Sequence, residues 1–362
     1  MRIPKKKEII VWAKANPRLA IGAAAICVGV LVAIIVSVGI LLLTPKPDLA
    51  PFDAPPTPVD QGPIGRNWLD GTPDDGTPLR PFAVMIENHS DSRSQSGLTA
   101  AKLVFEAPVE GGITRFLAVF AASSTVREIG PVRSARPYYL DWAFDLGADY
   151  AHVGGSPEAF TKIARLRLHD IDEFAYGATA FWRSSRRYAP HNAYTSVELL
   201  NGVREERAWA ATSTAASWRY ADPETPEERP TSTPNLVIDF SAPSYRVEWR
   251  YQHGDNAWRR FQAGAPHADL DGTPIMAKNV VVIRTETQVV DAVGRLKLRT
   301  IGSGKAWVFR DGRMITGRWK KLAAEDRIHF ETVDGKEISF IPGPTWIEVT
   351  TADMPTRFGA PL

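Results

Sequence analysis

From Leu19 to Leu43 the chain runs 25 residues (LAIGAAAICVGVLVAIIVSVGILLL) without a charged side chain. Backbone placed in hydrocarbon must satisfy its own hydrogen bonds, and about 20 apolar residues in an α-helix cross a bilayer. The run therefore predicts a transmembrane helix over 19–43, long enough to tilt. A cleaved secretory signal is the competing reading. Its apolar core is shorter, roughly 7–15 residues, and a small-x-small site should follow it. Arg2, Lys5, Lys6, Lys7, Lys14 and Arg18 precede the run, with only Glu8 against them. The positive-inside rule then keeps 1–18 in the cytoplasm and puts everything beyond Leu43 outside. The expectation is a single-pass plasma-membrane protein, held in the lipid bilayer through 19–43, with its folded part extracytoplasmic.

That division changes the meaning of the net charge. The chain has 43 Lys+Arg and 41 Asp+Glu, a formal +2. With the first 18 residues set aside the remainder is slightly acidic, so no nucleic-acid partner is expected. The 44% hydrophobic content and eleven Trp exclude a disordered chain. The one cysteine, Cys27, lies in the apolar run, with Ile26 before it and a long apolar stretch after it, a poor match to a lipidation site. The folded part therefore has neither a disulfide nor a thiol nucleophile.

Residues 44–80 are dense in proline and read as an extended linker. Two folded regions follow, for an α+β class overall. Residues 81–221 alternate strand-like and helix-like stretches, a mixed α/β domain. Strands are expected at Pro81–Glu87, Lys102–Glu106, Ile113–Ala121 and Tyr150–Val153. Helices are expected from Pro137, from Pro157 with Ser156 as cap, and from Thr195, where Thr195 to Glu198 has the capping-box pattern. A polar break at Asp222–Pro234 precedes residues 235–350, a smaller, mostly antiparallel β domain. Its strands are expected at Leu236–Phe240, Arg246–Tyr251, Val280–Thr285, Ala306–Arg310, Ile328–Thr332 and Ile338–Ile341, with hairpin turns at Asp311-Gly312 and Asp334-Gly335.

The first region holds the dense polar constellations. Arg133 and Arg136 immediately precede the helix predicted to start at Pro137, where guanidinium groups can hold a phosphate or carboxylate bidentately. The alternative is that both pair with carboxylates of the same domain, Glu106, Glu110 or Asp141. Glu106 and Glu110 stand in a predicted connection before a Gly-Gly turn, and Arg115 follows on the next strand. His152 ends a strand before the glycine turn that leads to Ser156, and His191-Asn192 lies close behind Arg183, Arg186 and Arg187. The candidate ligand set is Glu106, Glu110, Arg115, Arg133, Arg136, His152, Ser156, His191 and Asn192. Glu110 and His191 are the acid/base candidates for an enzyme. Phosphate-loop, serine-elbow and zinc-helix motifs are missing, so no cofactor and no metal are expected. In Ile315–Lys321, Trp319 is expected to fill a small core with the lysines solvated.

Several of these strings resemble the YerB-like family of bacterial envelope proteins: PFAVMIEN (81–88), SQSGLTAAKLVFEAPVEGGITRFLAVF (94–120), IGPVRSARPYYLDWA (129–143), HVGGSPEA (152–159) and APHNAYTS (189–196). GRMITGRWKK (312–321) and PGPTWIEV (342–349) resemble that family's smaller C-terminal domain. The resemblance implies a membrane-attached, extracytoplasmic bacterial protein and carries no reaction with it. One departure stands out: the family's namesake looks like a lipoprotein. The expected function is binding of a polar, anionic or glycan-like wall ligand. A metal-independent hydrolase or transferase acting on a wall glycan or phosphodiester, and a scaffold for wall-synthesis proteins, are the alternatives.

Overall fold

The computed structural model describes residues 65–359. The tail 1–18, the helix expected over 19–43 and residues 44–64 of the expected linker lie outside them. Residues 65–80, expected as the end of that linker, pack onto the body. Leu69 and Asp70 are buried, Lys102 Nζ reaches Asp70 at 2.7 Å, and Arg80 donates to the carbonyls of Gly147 and Ala210. The Trp68-Leu69 pair supplies an apolar anchor that a pure tether lacks.

The first region forms β1 (Phe82–Glu87), β2 (Leu103–Pro108), β3 (Thr114–Phe120), β4 (Asp149–His152), β5 (Asp170–Asp172), β6 (Trp182–Arg183) and β7 (Ala193–Tyr194). Four helices lie among them: α1 (Pro137–Asp145), α2 (Pro157–Leu166), α3 (Glu173–Ala180) and α4 (Val197–Glu206). Pro137 and Pro157 each open a helix, where the missing N–H leaves no bond unmade. Ser156 caps α2 by accepting from the Ala159 N–H. The cap of α4 is one residue later than the capping-box pattern suggests. Ser196 accepts from the Leu199 N–H, while the Thr195 hydroxyl donates to the Ala180 carbonyl.

Beyond residue 234 come β8 (Asn235–Asp239), β9 (Arg246–Gln252), β10 (Ala257–Gln262), β11 (Ala265–Pro266), β12 (Met276–Ala277), β13 (Asn279–Arg284), β14 (Thr287–Val289) and β15 (Leu296–Leu298). They are followed by β16 (Gly302–Arg310), β17 (Arg313–Lys321), β18 (His329–Thr332), β19 (Thr345–Thr350) and β20 (Thr356–Gly359). Asp311 and Gly312 close the β16–β17 hairpin with φ of 51° and 68°, the two positive angles a type I′ turn demands. The strand expected at Ile338–Ile341 is reduced to a bridge between Phe340 and Tyr220.

The second region does not keep its strands to itself. One ten-stranded sheet runs β18-β17-β16-β13-β19-β2-β3-β1-β4-β5. Its junction is β19 lying parallel beside β2, with Ile347 opposite Phe105 and Glu348 opposite Glu106. Strands β8 to β12 and β20 form a second sheet. Alternation then sorts the core. Met85, Phe105, Leu117 and Ile347 pack beneath Tyr139 and Trp142 of α1 and Ala159 of α2. Ile86, Val104, Phe116 and Trp346 pack against Trp249 and Trp258 of the second sheet and Leu200 of α4. The large sheet is covered on both faces, which is why β1, β2 and β3 are buried at every position.

Candidate functional site

Glu87 closes β1 and stands opposite Arg115 in the β1–β3 register. The segment leading to α1 runs beside β1, with the Arg133 N–H on the Met85 carbonyl and the Glu87 N–H on the Pro131 carbonyl. That pairing brings Arg133 Nε to 2.9 Å from Glu87 Oε1, and the other carboxylate oxygen meets His191 Nδ1 at 2.8 Å. Three residues on, Arg136 grips Glu110 through two bonds of 2.7 and 2.8 Å. Glu110 sits in a short turn whose Gly111 adopts φ 70°. Burial pushes the Glu110 carboxyl up, but the hydrogen bonds and charge of Arg136 outweigh it and hold the group below its ordinary value.

Arg115 lies between these pairs. It donates to the Ser134 carbonyl at 2.6 Å, is almost wholly buried, and its Nε has no hydrogen-bond partner. Burial, then the neighbouring charges of Arg136 and Arg133, push its guanidinium below the usual arginine value. The seam thus holds three guanidinium groups against two carboxylates.

The other predicted residues sit elsewhere. Glu106 is inside β2, fully buried, not in a connection. It accepts from Thr114 Oγ1 and, at 2.5 Å, from Arg260 Nη2. Its parallel-strand neighbour Glu348 is equally buried and accepts from Trp249 Nε1 at 2.7 Å. Arg260 and Gln95 both reach His267, which extends this network toward β1. His152 is enclosed between Asp170 (2.7 Å) and the Gly154 carbonyl (2.8 Å). Ser156 serves as a helix cap, and Asn192 accepts from Arg183 and donates to the Ser184 carbonyl. The acid/base candidates Glu110 and His191 are engaged with different partners, Arg136 and Glu87. A surface groove of about 670 Å³ is lined by Ser96, Thr99, Arg127, Glu128, Arg186 and Asp269 among others, and by none of the nine predicted residues.

Sequence reasoning missed Glu87, His89 and Asp91. The His89 ring stacks on His191 with centroids 5.1 Å apart, and donor atoms of His89, Asp91 and His191 lie within 4.8 Å of one another. Arg187 ties the two loops together by donating to the carbonyls of Asp91, Arg93 and Ser94. His89-Ser-Asp91 at a strand end is the local signal. Its partner, about a hundred residues on, is supplied only by folding.

Two family models match the chain, described as the N-terminal and C-terminal domains of a protein of unknown function, DUF3048, over residues 69–210 and 236–347. "Putative lipoprotein YerB" of Bacillus subtilis (strain 168) is 30% identical over 277 residues, covering 75% of this chain and 82% of the relative. The crystal structure of YerB from Bacillus subtilis matches with a TM-score of 0.72 at 29% identity, covering 81% of this chain and 99% of that one. These findings correct the expected localisation. The relative is named a lipoprotein, a protein held by lipid; the apolar run 19–43 itself lies outside the described residues, among which no helix is long and apolar enough to cross a membrane. A basic stretch before an apolar run is also what an export signal looks like, so hydropathy alone does not separate the two. A single-pass anchor over 19–43 is therefore not supported.

Proposed function

The chain belongs to the DUF3048 family, whose two domains it carries in order, and from that premise we propose that it is a cell-envelope protein whose arginine seam binds a polar, anionic or glycan-like wall ligand. The relative's lipoprotein name supports the envelope location. One observation carries the binding reading: Arg115, Arg133 and Arg136 outnumber Glu87 and Glu110, and the side chains of Arg133 and Arg136 keep 22% and 15% of their surface exposed. A ligand carboxylate or phosphate would complete the charge balance and displace Glu110 from Arg136.

That exchange gives the test its sign. Glu110→Gln frees Arg136 and is expected to tighten binding of muropeptides or of a polyol-phosphate wall polymer several-fold. Arg133→Ala combined with Arg136→Ala is expected to weaken it. Calorimetry on folded variants measures both. Unchanged affinity in the folded double variant, or weaker binding in Glu110→Gln, sinks the proposal.

A further inference from the structure

We propose that His89, Asp91 and His191 form a binding site for a divalent transition metal, and that the donor set favours Zn²⁺. The inference does not rest on the wall-ligand reading. Two imidazoles and one carboxylate are a borderline-soft nitrogen and oxygen set that suits zinc and leaves room for water in a fourth position. The donors are nearly in place. Their ligating atoms lie within 4.8 Å of one another, and His89 Nδ1 is 3.7 Å from Asp91 Oδ2. Tetrahedral zinc with bonds of about 2.0–2.1 Å sets ligand atoms roughly 3.3 Å apart, so small side-chain rotations close the site.

A second feature points the same way. Histidine ligands almost always present their other nitrogen to a carboxylate or carbonyl, which fixes the ring and raises its basicity. His191 has that arrangement, with Nδ1 at 2.8 Å from Glu87 Oε2, which leaves Nε2 for a metal. Glu87 is itself buried and braced by Arg133. Scaffolding is present on both sides: His89 lies two residues beyond the end of β1, and Arg187 clamps the 91–94 backbone to the loop that carries His191. The side chains of His89, Asp91 and His191 are 34%, 67% and 20% exposed, so an ion can reach them from solvent.

The test uses the untagged full-length chain, stripped by a chelator and titrated with Zn²⁺ near neutral pH, with Co²⁺ as the spectroscopic probe. One Zn²⁺ per chain is expected, not displaced by Mg²⁺ or Ca²⁺. His89→Ala and His191→Ala should each weaken it by about 100-fold or more, and Glu87→Gln, a positioning change, by about 10–100-fold at unchanged stoichiometry. His253→Ala, outside the cluster, should leave affinity unaltered. Circular-dichroism melts establish that each variant is folded. Failure of the folded wild type to take up stoichiometric Zn²⁺ overturns the proposal, as does undiminished uptake by the folded His89→Ala/His191→Ala chain.

Discussion

Glu106 and Glu348 face each other across adjacent parallel strands, both without solvent exposure, with Arg260 beside them. Burial, then the nearby Glu106, push the Glu348 carboxyl well above its ordinary value, which favours its protonated form. The native state then binds more protons than the unfolded chain above about pH 4.3, and stability falls as pH rises through that window. Glu348→Gln keeps the acceptor for Trp249 and removes this titration. Urea unfolding should give equal or higher stability at pH 7 and a flatter pH profile. Glu106→Gln takes the carboxylate from Arg260 and should cost about 3–5 kcal/mol, the usual penalty for a broken buried pair. Equal losses for the two variants would refute the assignment. Glu110 has the opposite sign. Its depressed value means its contribution is present above about pH 4.3 and is lost as pH falls through the native value. Acid unfolding of Glu110→Gln should have a shallower limb than wild type. At this scale sequence patterns named Glu110 among three possible partners of Arg136, and missed Glu87 as the partner of Arg133. Lys321 was expected in solvent, yet it is fully buried with its ammonium on Asp145 and on the carbonyls of Ala324 and Asp326.

Elements were more legible, because their signals are local. Proline at a first helical turn, a serine cap and Asp-Gly between apolar runs act within a few residues of themselves. Two substitutions test the assignments. Ser196→Ala removes the acceptor at the start of α4 and should lower stability by about 1 kcal/mol. An unchanged denaturation midpoint would move the cap elsewhere. Gly312→Ala puts a Cβ 2.6 Å from the Tyr251 ring at φ 68°, and should cost on the order of 1–3 kcal/mol of unfolding free energy. The failure at Ile338–Ile341 has a tertiary cause. Its neighbours Phe330 and Trp218 bury it as a core segment, whose backbone meets Tyr220 in a single bridge and extends no ladder.

On the scale of the molecule, the two family segments are tied through their cores. The β2–β19 pairing, the Arg260–Glu106 and Lys321–Asp145 pairs, and the Trp218 Nε1 bond to the Ile328 carbonyl all cross between residues before 222 and residues after 234. One cooperative unfolding transition is therefore expected for residues 65–359. Lys321→Met strands Asp145 in the interior and should cost about 3–5 kcal/mol. Hydrogen exchange should show protection falling together in β1–β3 and in β13. Separate melting of the two segments would contradict the shared sheet.

What the sequence determined by itself was the set of local structures: the strands from apolar runs and alternation, the helix starts from proline and serine, the I′ hairpin, and membership of a two-domain family from its strings. What only the tertiary structure decided was pairing. Local pattern does not specify that residue 345 will lie beside residue 103, nor which of three carboxylates Arg136 will choose, nor that Arg133 will take Glu87, nor that His89 will stack on His191. Those choices depend on which sheet edges and faces meet. Burial then sets the ionisation of groups such as Glu348, because desolvation is a property of the assembled core.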